Sequence, residues 1–266
     1  MLTRRSVLPS SAATGGRWAV LGALIGAALA ITLYAPAHWL AAGLARWTGG
    51  HLQLVNARGT VWNGTAGVVF SSGASGAESI ALPGMVGWRL RPRWDGVAGA
   101  LDIPCCTTAP LGFRAHPRPS GFQLAWNDGQ SRWPAALLGG FGAPWNTLKP
   151  EGVLDISTQA FAMQWSGPRL ALAGRATLDA TDISSSLSTL RPMGSYRLIL
   201  EGGPAPTLLL TTREGSLQLS GSGRWNGNAL RFDGEASAAP GREDALSNLL
   251  NIIGRREGAR SLITLG

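Results

Sequence analysis

Cysteine is nearly missing from this 266-residue chain: there are two, Cys105 and Cys106, and they are neighbours. Adjacent cysteines can pair only through a strained ring, so a disulfide framework is excluded as the source of stability. They read as small buried or edge hydrophobes, or as one half of an intermolecular bridge. Histidine is almost as scarce. His38 borders an apolar run, His51 and His116 sit in expected turns beside Gly50 and Pro117, and none belongs to an HExxH or HxH pair that would grip a metal. No Gly-x-Ser-x-Gly elbow occurs, and no Gly-rich phosphate loop ends in lysine. These gaps leave a hydrolase without a nucleophile–base set or metal cluster, and nothing selects a pair among the fifteen carboxylates. No catalytic, metal or cofactor site is therefore assigned.

Charge is thin too, at 14% of residues, and Lys149 is the one lysine among 23 basic residues. The net charge of +8 and the pI near 11.1 would suit a nucleic-acid binder, but the arginines are scattered singly. A binder would gather them on one face, so nucleic acid is set aside as a partner.

Long apolar runs are absent with one exception. Trp18 to Ala35 carries no charged residue, and as a helix it would span about 27 Å, close to a bilayer core. Arg4, Arg5 and Arg17 precede it, and the first basic residue after it is Arg46, which predicts residues 1–17 in the cytoplasm and the body of the chain across the membrane. Trp18, Tyr34 and Trp39 are the candidate membrane-interface residues. A cleaved secretory signal is the rival reading, because Ala28-Leu29-Ala30 and Ala35-Pro36-Ala37 offer small-x-small sites; the run exceeds a usual signal core, which favours a retained anchor over 18–35.

What is abundant is glycine, at 37 residues, and tryptophan, at 11. This profile suits a β-rich exported domain with tight turns. Pro36 to Trp47 keeps helical spacing and predicts a juxtamembrane helix within 36–50. From Leu52 the period becomes two: Leu52/Leu54, Trp88/Leu90, Leu101/Ile103, Phe122/Leu124/Trp126, Tyr196/Leu198/Leu200 and Leu230/Phe232 alternate with polar or small residues. Trp88, Trp126, Trp165 and Trp225 fill a sheet core on this reading, in preference to forming a binding platform. The fold expected is mainly β, an antiparallel sheet arranged as an open groove or a sandwich. The Pro-dense stretch Pro104–Gly121 suggests two similar halves, 51–118 and 119–241.

Asn226-Gly227 predicts a two-residue turn in a hairpin from Gly215 to Ala236, and the same Trp-Asn-Gly tripeptide at Trp62–Gly64 predicts a second. Pro134–Phe141 reads as a short helix, and Thr181–Leu190, with Asp182 as N-cap, as a non-β segment. The clearest soluble helix is Arg242–Arg256, at the head of a 242–266 segment. Its face of Leu246, Leu249, Leu250 and Ile253 must cover its own sheet or a partner, and these four are the candidate partner contacts.

With these elements in place, several motifs carry a resemblance. They are Gly59–Gly64 (GTVWNG), Gly142–Trp145 (GAPW), Ser185–Leu198 (SSLSTLRPMGSYRL), Leu217–Trp225 (LQLSGSGRW), Leu230–Ala236 (LRFDGEA) and Ala239–Arg256 (APGREDALSNLLNIIGRR). In this order the chain resembles the N protein of the bacterial type II secretion system, the general secretion pathway protein N family; Ser71–Arg118 matches least. The resemblance implies a bitopic inner-membrane protein with a periplasmic domain that assists export of folded proteins across the outer membrane. It also implies no enzymatic activity, no cofactor, and partners among the other inner-membrane and periplasmic secretion proteins. A second copy of the chain is a further candidate partner. The competing reading is an anchored β-groove protein that binds lipid or another amphiphile.

Overall fold

The computed structural model describes residues 15–72, 79–167, 169–226 and 229–266. Two helices come first, α1 (Gly15–Leu33) and α2 (Ala37–Trp47). Strands follow almost without interruption: β1 (Leu52–Gly59), β2 (Asn63–Ser71), β3 (Ser79–Ala81), β4 (Val86–Arg93), β5 (Gly96–Asp102), β6 (Leu111–Arg118), β7 (Gly121–Trp126) and β8 (Gly129–Pro134). A 3-10 helix (Ala135–Phe141) and the short α3 (Trp145–Leu148) lead to β9 (Glu151–Ser166), β10 (Arg169–Ser184), β11 (Gly194–Gly203), β12 (Thr207–Gly215), β13 (Leu217–Asn226) and β14 (Ala229–Ala238). Helix α4 (Glu243–Ile253) precedes a last hairpin, β15 (Arg255–Glu257) and β16 (Arg260–Leu265).

All sixteen strands join one open antiparallel sheet in the order β1-β2-β4-β5-β6-β7-β9-β10-β11-β12-β13-β14-β16-β15, with β3 added to β2 and β8 to β9. The sheet is not a sandwich, and it runs through the boundary expected after residue 118. That point lies at the tip of the β6–β7 hairpin, where Arg118 pairs with Gly121. Proline there marks a turn between neighbours in one sheet.

Alternation divides the sheet into two unlike faces. On the inner face Leu54 lies opposite Val68, Trp88 opposite Leu101, Phe113 opposite Trp126 and Leu198 opposite Leu210. Trp133 of β8 stands opposite Leu154 of β9 and packs against the buried cluster that includes Val68, Val86 and Ile103 of the early strands, which joins the early strands to β9 across one apolar surface.

One end of this inner face is covered. Leu246, Leu249 and Leu250 of α4, at most 1% exposed, pack on Met193, Tyr196, Leu217 and Ala236, with Ile253 half-buried beside them. Each buried leucine contributes about 1.5–3 kcal/mol by leaving water. The four residues read as candidate partner contacts thus cover the chain's own sheet, the first of the two alternatives open to them. On the early strands Leu137 of the 3-10 helix packs on Val68, Leu82, Val86 and Ile103, and Ala37 of α2 on Ala66 and Trp88.

Several expectations change in detail. The apolar run forms α1, and among the described residues no helix is long and apolar enough to cross a membrane. Thr181–Leu190 is not a separate non-β segment: β10 continues to Ser184, with Asp182 at φ 53 in an irregular step opposite β11, because cross-strand bonding outweighs the local capping preference. Pro134–Phe141 is helical, but as a 3-10 turn with Pro134 as its cap. The last helix stops at Ile253, and extended Gly254 turns Arg255 and Arg256 into β15. Cys105 and Cys106, expected not to pair, are bonded to each other. They sit in a tight turn after β5 where the amides of Cys106 and Thr107 both donate to the Ile103 carbonyl at 2.9 Å, so chain reversal brings the neighbouring thiols together.

Candidate interaction surfaces

Two tryptophans fasten α1 to the sheet. Between β1 and β2 the chain turns at Thr60–Trp62, the Thr60 amide donating to the Asn63 carbonyl at 2.8 Å. Gly59 and Gly64 pair directly, so Asn63 and Gly64 already belong to β2 and the expected hairpin turns slightly earlier than its Trp-Asn-Gly signal. The Val61 amide donates to Ala35 at 2.8 Å, and Trp62 Nε1 donates to the Thr32 carbonyl at 2.6 Å. Trp88, 4% exposed, donates from its own Nε1 to Val61 at 3.0 Å. Two positions in this joint require glycine. Gly59 has φ +87, and a Cβ on Gly64 would lie 2.5 Å from the Trp88 ring and 2.6 Å from the Arg58 carbonyl oxygen. The motif Gly59–Gly64 is thus the seat of the helix exit.

The outer face is polar and paired. Asp155 and Asp179 lie directly opposite on β9 and β10, a like-charge contact that would destabilise a sheet. Arg132 meets Asp155 at 2.7 Å, while Arg197 at 2.6 Å and Arg213 at 3.5 Å meet Asp179. The hydrogen bond from Arg197 is the main reason the Asp179 carboxyl is held below its ordinary range, with burial opposing it. Arg175–Glu201 and Arg260–Glu235 repeat the pattern. Four carboxylates are thereby committed to ion pairs that keep contact with water, and such pairs add little stability.

Two shallow cavities flank these ladders. One of about 440 Å³ is bordered by Glu201, Leu209, Arg224 and Asp233. The other, about 550 Å³, lies between the Cys105–Cys106 turn and the Asp155/Asp179 pair. Among the described residues no group of three His, Cys, Asp or Glu could hold a metal. His51 Nδ1 lies 3.0 Å from the Ser71 carbonyl. His116 is half-buried within β6, not in a turn, with Nδ1 3.1 Å from the Asp95 carbonyl. Tyr196, buried beneath α4, donates to the Leu217 carbonyl at 3.2 Å, and burial pushes its phenol well up.

The surfaces left for contact are the sheet edges and the exposed apolar side chains. Among the described residues β1 pairs along its length with β2 alone, and at the other edge β15 pairs only with β16. The β15 edge is three residues long and wholly charged, a form that resists added strands. The β1 edge is longer, and its ladder shifts register between Val55 and Arg58. Trp18, Tyr34 and Trp39 are 75%, 76% and 51% exposed, and α1 also turns Leu21, Leu24, Ile25 and Leu29 outward. The apolar run made these legible in sequence. The Trp62–Trp88–Gly64 joint was missed as a joint, although the repeated Trp-Asn-Gly marked one of its parts.

The family model of the type II secretion system protein N matches residues 50–263. No curated protein and no solved structure shows a match to the chain.

Proposed function

The chain belongs to the type II secretion system protein N family, and from that premise we propose that it is a non-catalytic structural component of the secretion machinery, acting through protein contacts. Helix α1 holds it in the inner membrane with the N-terminus cytoplasmic, and the sheet stands in the periplasm. The outward apolar side chains of α1 and the arginines before it support this placement. The sheet recruits a neighbouring secretion protein by adding one of its strands to β1 beyond Leu52, an addition made by backbone bonding that needs no special side chains.

The observation that carries this reading is the β1 edge itself: a strand of eight residues with a strand partner on one side, its first residue Leu52 bonded to the Thr48 hydroxyl at the end of α2 and its other end at the seat of α1. Val55 is 38% exposed there, so Val55→Lys places a charge on the edge without emptying the core. Co-purification of secretion partners from gently solubilised membranes should fall several-fold with this variant, at unchanged protein level. Undiminished recovery would rule out the β1 edge. A C-terminal reporter active only in the cytosol would rule out the topology.

A second reading, an amphiphile-binding groove, has support from one feature. Towards the end away from α4, inner-face Phe122 stacks on Trp165 with ring centroids 4.5 Å apart, and Phe122 stays 40% exposed. Native mass spectrometry of gently extracted protein separates the readings, because a groove would carry lipid and a docking sheet would not.

A further inference from the structure

We propose that the hairpin tips at the α1 end of the sheet form a basic, tryptophan-tipped rim that rests on the anionic phospholipid surface of the membrane α1 enters. The inference rests on the reading of α1 as an anchor and adds a second contact with the same bilayer.

Helix α1 reaches the sheet at the Thr60–Trp62 turn. The Leu90 amide donates to the Trp62 carbonyl at 2.6 Å, which sets that turn level with Leu90. Strand β4 runs on to Arg93, paired with Gly96, so the tip at Trp94 and Asp95 projects about 13 Å past the point where α1 arrives. Trp94 is 94% exposed. A bare tryptophan has no place in a core, and its amphipathic ring suits the headgroup layer.

Charge follows the same polarity. Within a few residues of the tips on this side lie Arg91, Arg93, Arg118, Arg169, Arg224 and Arg231, all exposed, against Asp95 and Glu201. Arg93 shares Asp95 at 3.7 Å and Arg118 donates to Gln123, whereas the other four have no ion-pair partner among the described residues. At the end closed by α4 the signs balance: Lys149, Arg191, Arg242, Arg255, Arg256 and Arg260 stand among Glu151, Asp182, Glu214, Glu243, Asp244 and Glu257. An excess of arginine confined to the end from which α1 departs matches an anionic surface lying within a Debye length of it.

Hydrogen exchange of the full chain in vesicles tests this, comparing phosphatidylcholine alone with phosphatidylcholine plus phosphatidylglycerol. Residues 91–97 and 116–122 should exchange several-fold more slowly in the anionic vesicles, and added salt should remove the difference. The triple variant Arg91→Glu, Arg93→Glu, Trp94→Ser should lose the protection while α4 exchanges as in the wild type, which reports an intact fold. Equal exchange of the tips in both vesicles, with α1 protected, would overturn the rim and leave the anchor standing. Exchange of α1 as fast in vesicles as in denaturant would remove the anchor and the rim together. Slowing that survives in the triple variant would also overturn the proposal.

Discussion

At one end of the sheet α4 and the segments before β9 and β11 close over the inner face; at the other, the same strands finish in bare hairpin tips. The closed end holds the fully buried Leu246, Leu249 and Leu250 and the hydroxyl bond of Tyr196. The open end holds the most exposed tryptophan, Trp94, and the seat of α1. One strand set therefore does two jobs. A sheet this long cannot bury its apolar face along its whole length with an eleven-residue helix, so α4 covers the late strands, the 3-10 helix and α2 cover part of the early ones, and the remainder stays available for contact.

The largest test of this contrast is a paired truncation. Leu250→Ala beneath α4 should lower stability by about 2–5 kcal/mol in urea unfolding, because the surroundings cannot collapse into the space. Leu208→Ala, half-buried on the inner face towards the open end, should lower it by under about 1 kcal/mol. Equal losses would mean that the two ends are packed alike. Next in size is Gly64→Val, whose side chain must displace Trp88 or the Arg58 carbonyl. It should cost about 1–3 kcal/mol and raise protease sensitivity between α1 and β1.

Smaller effects sharpen the comparison through pH. The Tyr196 phenol is raised by burial, so folding favours its protonated form. Its contribution is complete below the ordinary tyrosine value, roughly pH 10, and is lost as pH rises beyond it. Tyr196→Phe should cost about 1 kcal/mol at neutral pH and flatten the alkaline decline measured by thermal unfolding across pH. Asp179 behaves with the opposite sign. Its carboxyl is lowered chiefly by Arg197, so its contribution is present above roughly pH 4 and lost on acidification. Asp179→Asn should remove part of the acid-side decline, and the change should be the smallest of the series because the pair is only half-buried and water screens it.

Sequence reading reached the strands because their period is two. Leu230, Phe232 and Ala236 lie on one face in β14, as their spacing required, with Arg231 and Asp233 on the other. Of the turn expected at Asn226-Gly227, Asn226 belongs to β13 and pairs with Ala229, while position 227 lies outside the described residues. Helices were legible where an apolar face repeated, in α2 and α4. Hidden features depended on distant partners: β10 continues through Asp182 because β11 lies beside it, and Gly254 ends α4 in the presence of β14, which accepts β16. Ser261–Leu265 sets Leu262 beside Ile263 and is too short to show a period of two, so it reads in sequence as tail. The site was legible only in outline. Nothing in Trp62 or Trp88 alone predicts that both indoles hold backbone carbonyls, and Trp94 looks in sequence like any other tryptophan of a sheet.

The most direct measurement places a photo-crosslinking residue at Val55 on the β1 edge and, separately, at Gln218 on the outer face of β13, in cells assembling the secretion system. Adducts with another secretion component are expected from position 55 and none from 218. Adducts from 218 with none from 55 would contradict docking at the β1 edge.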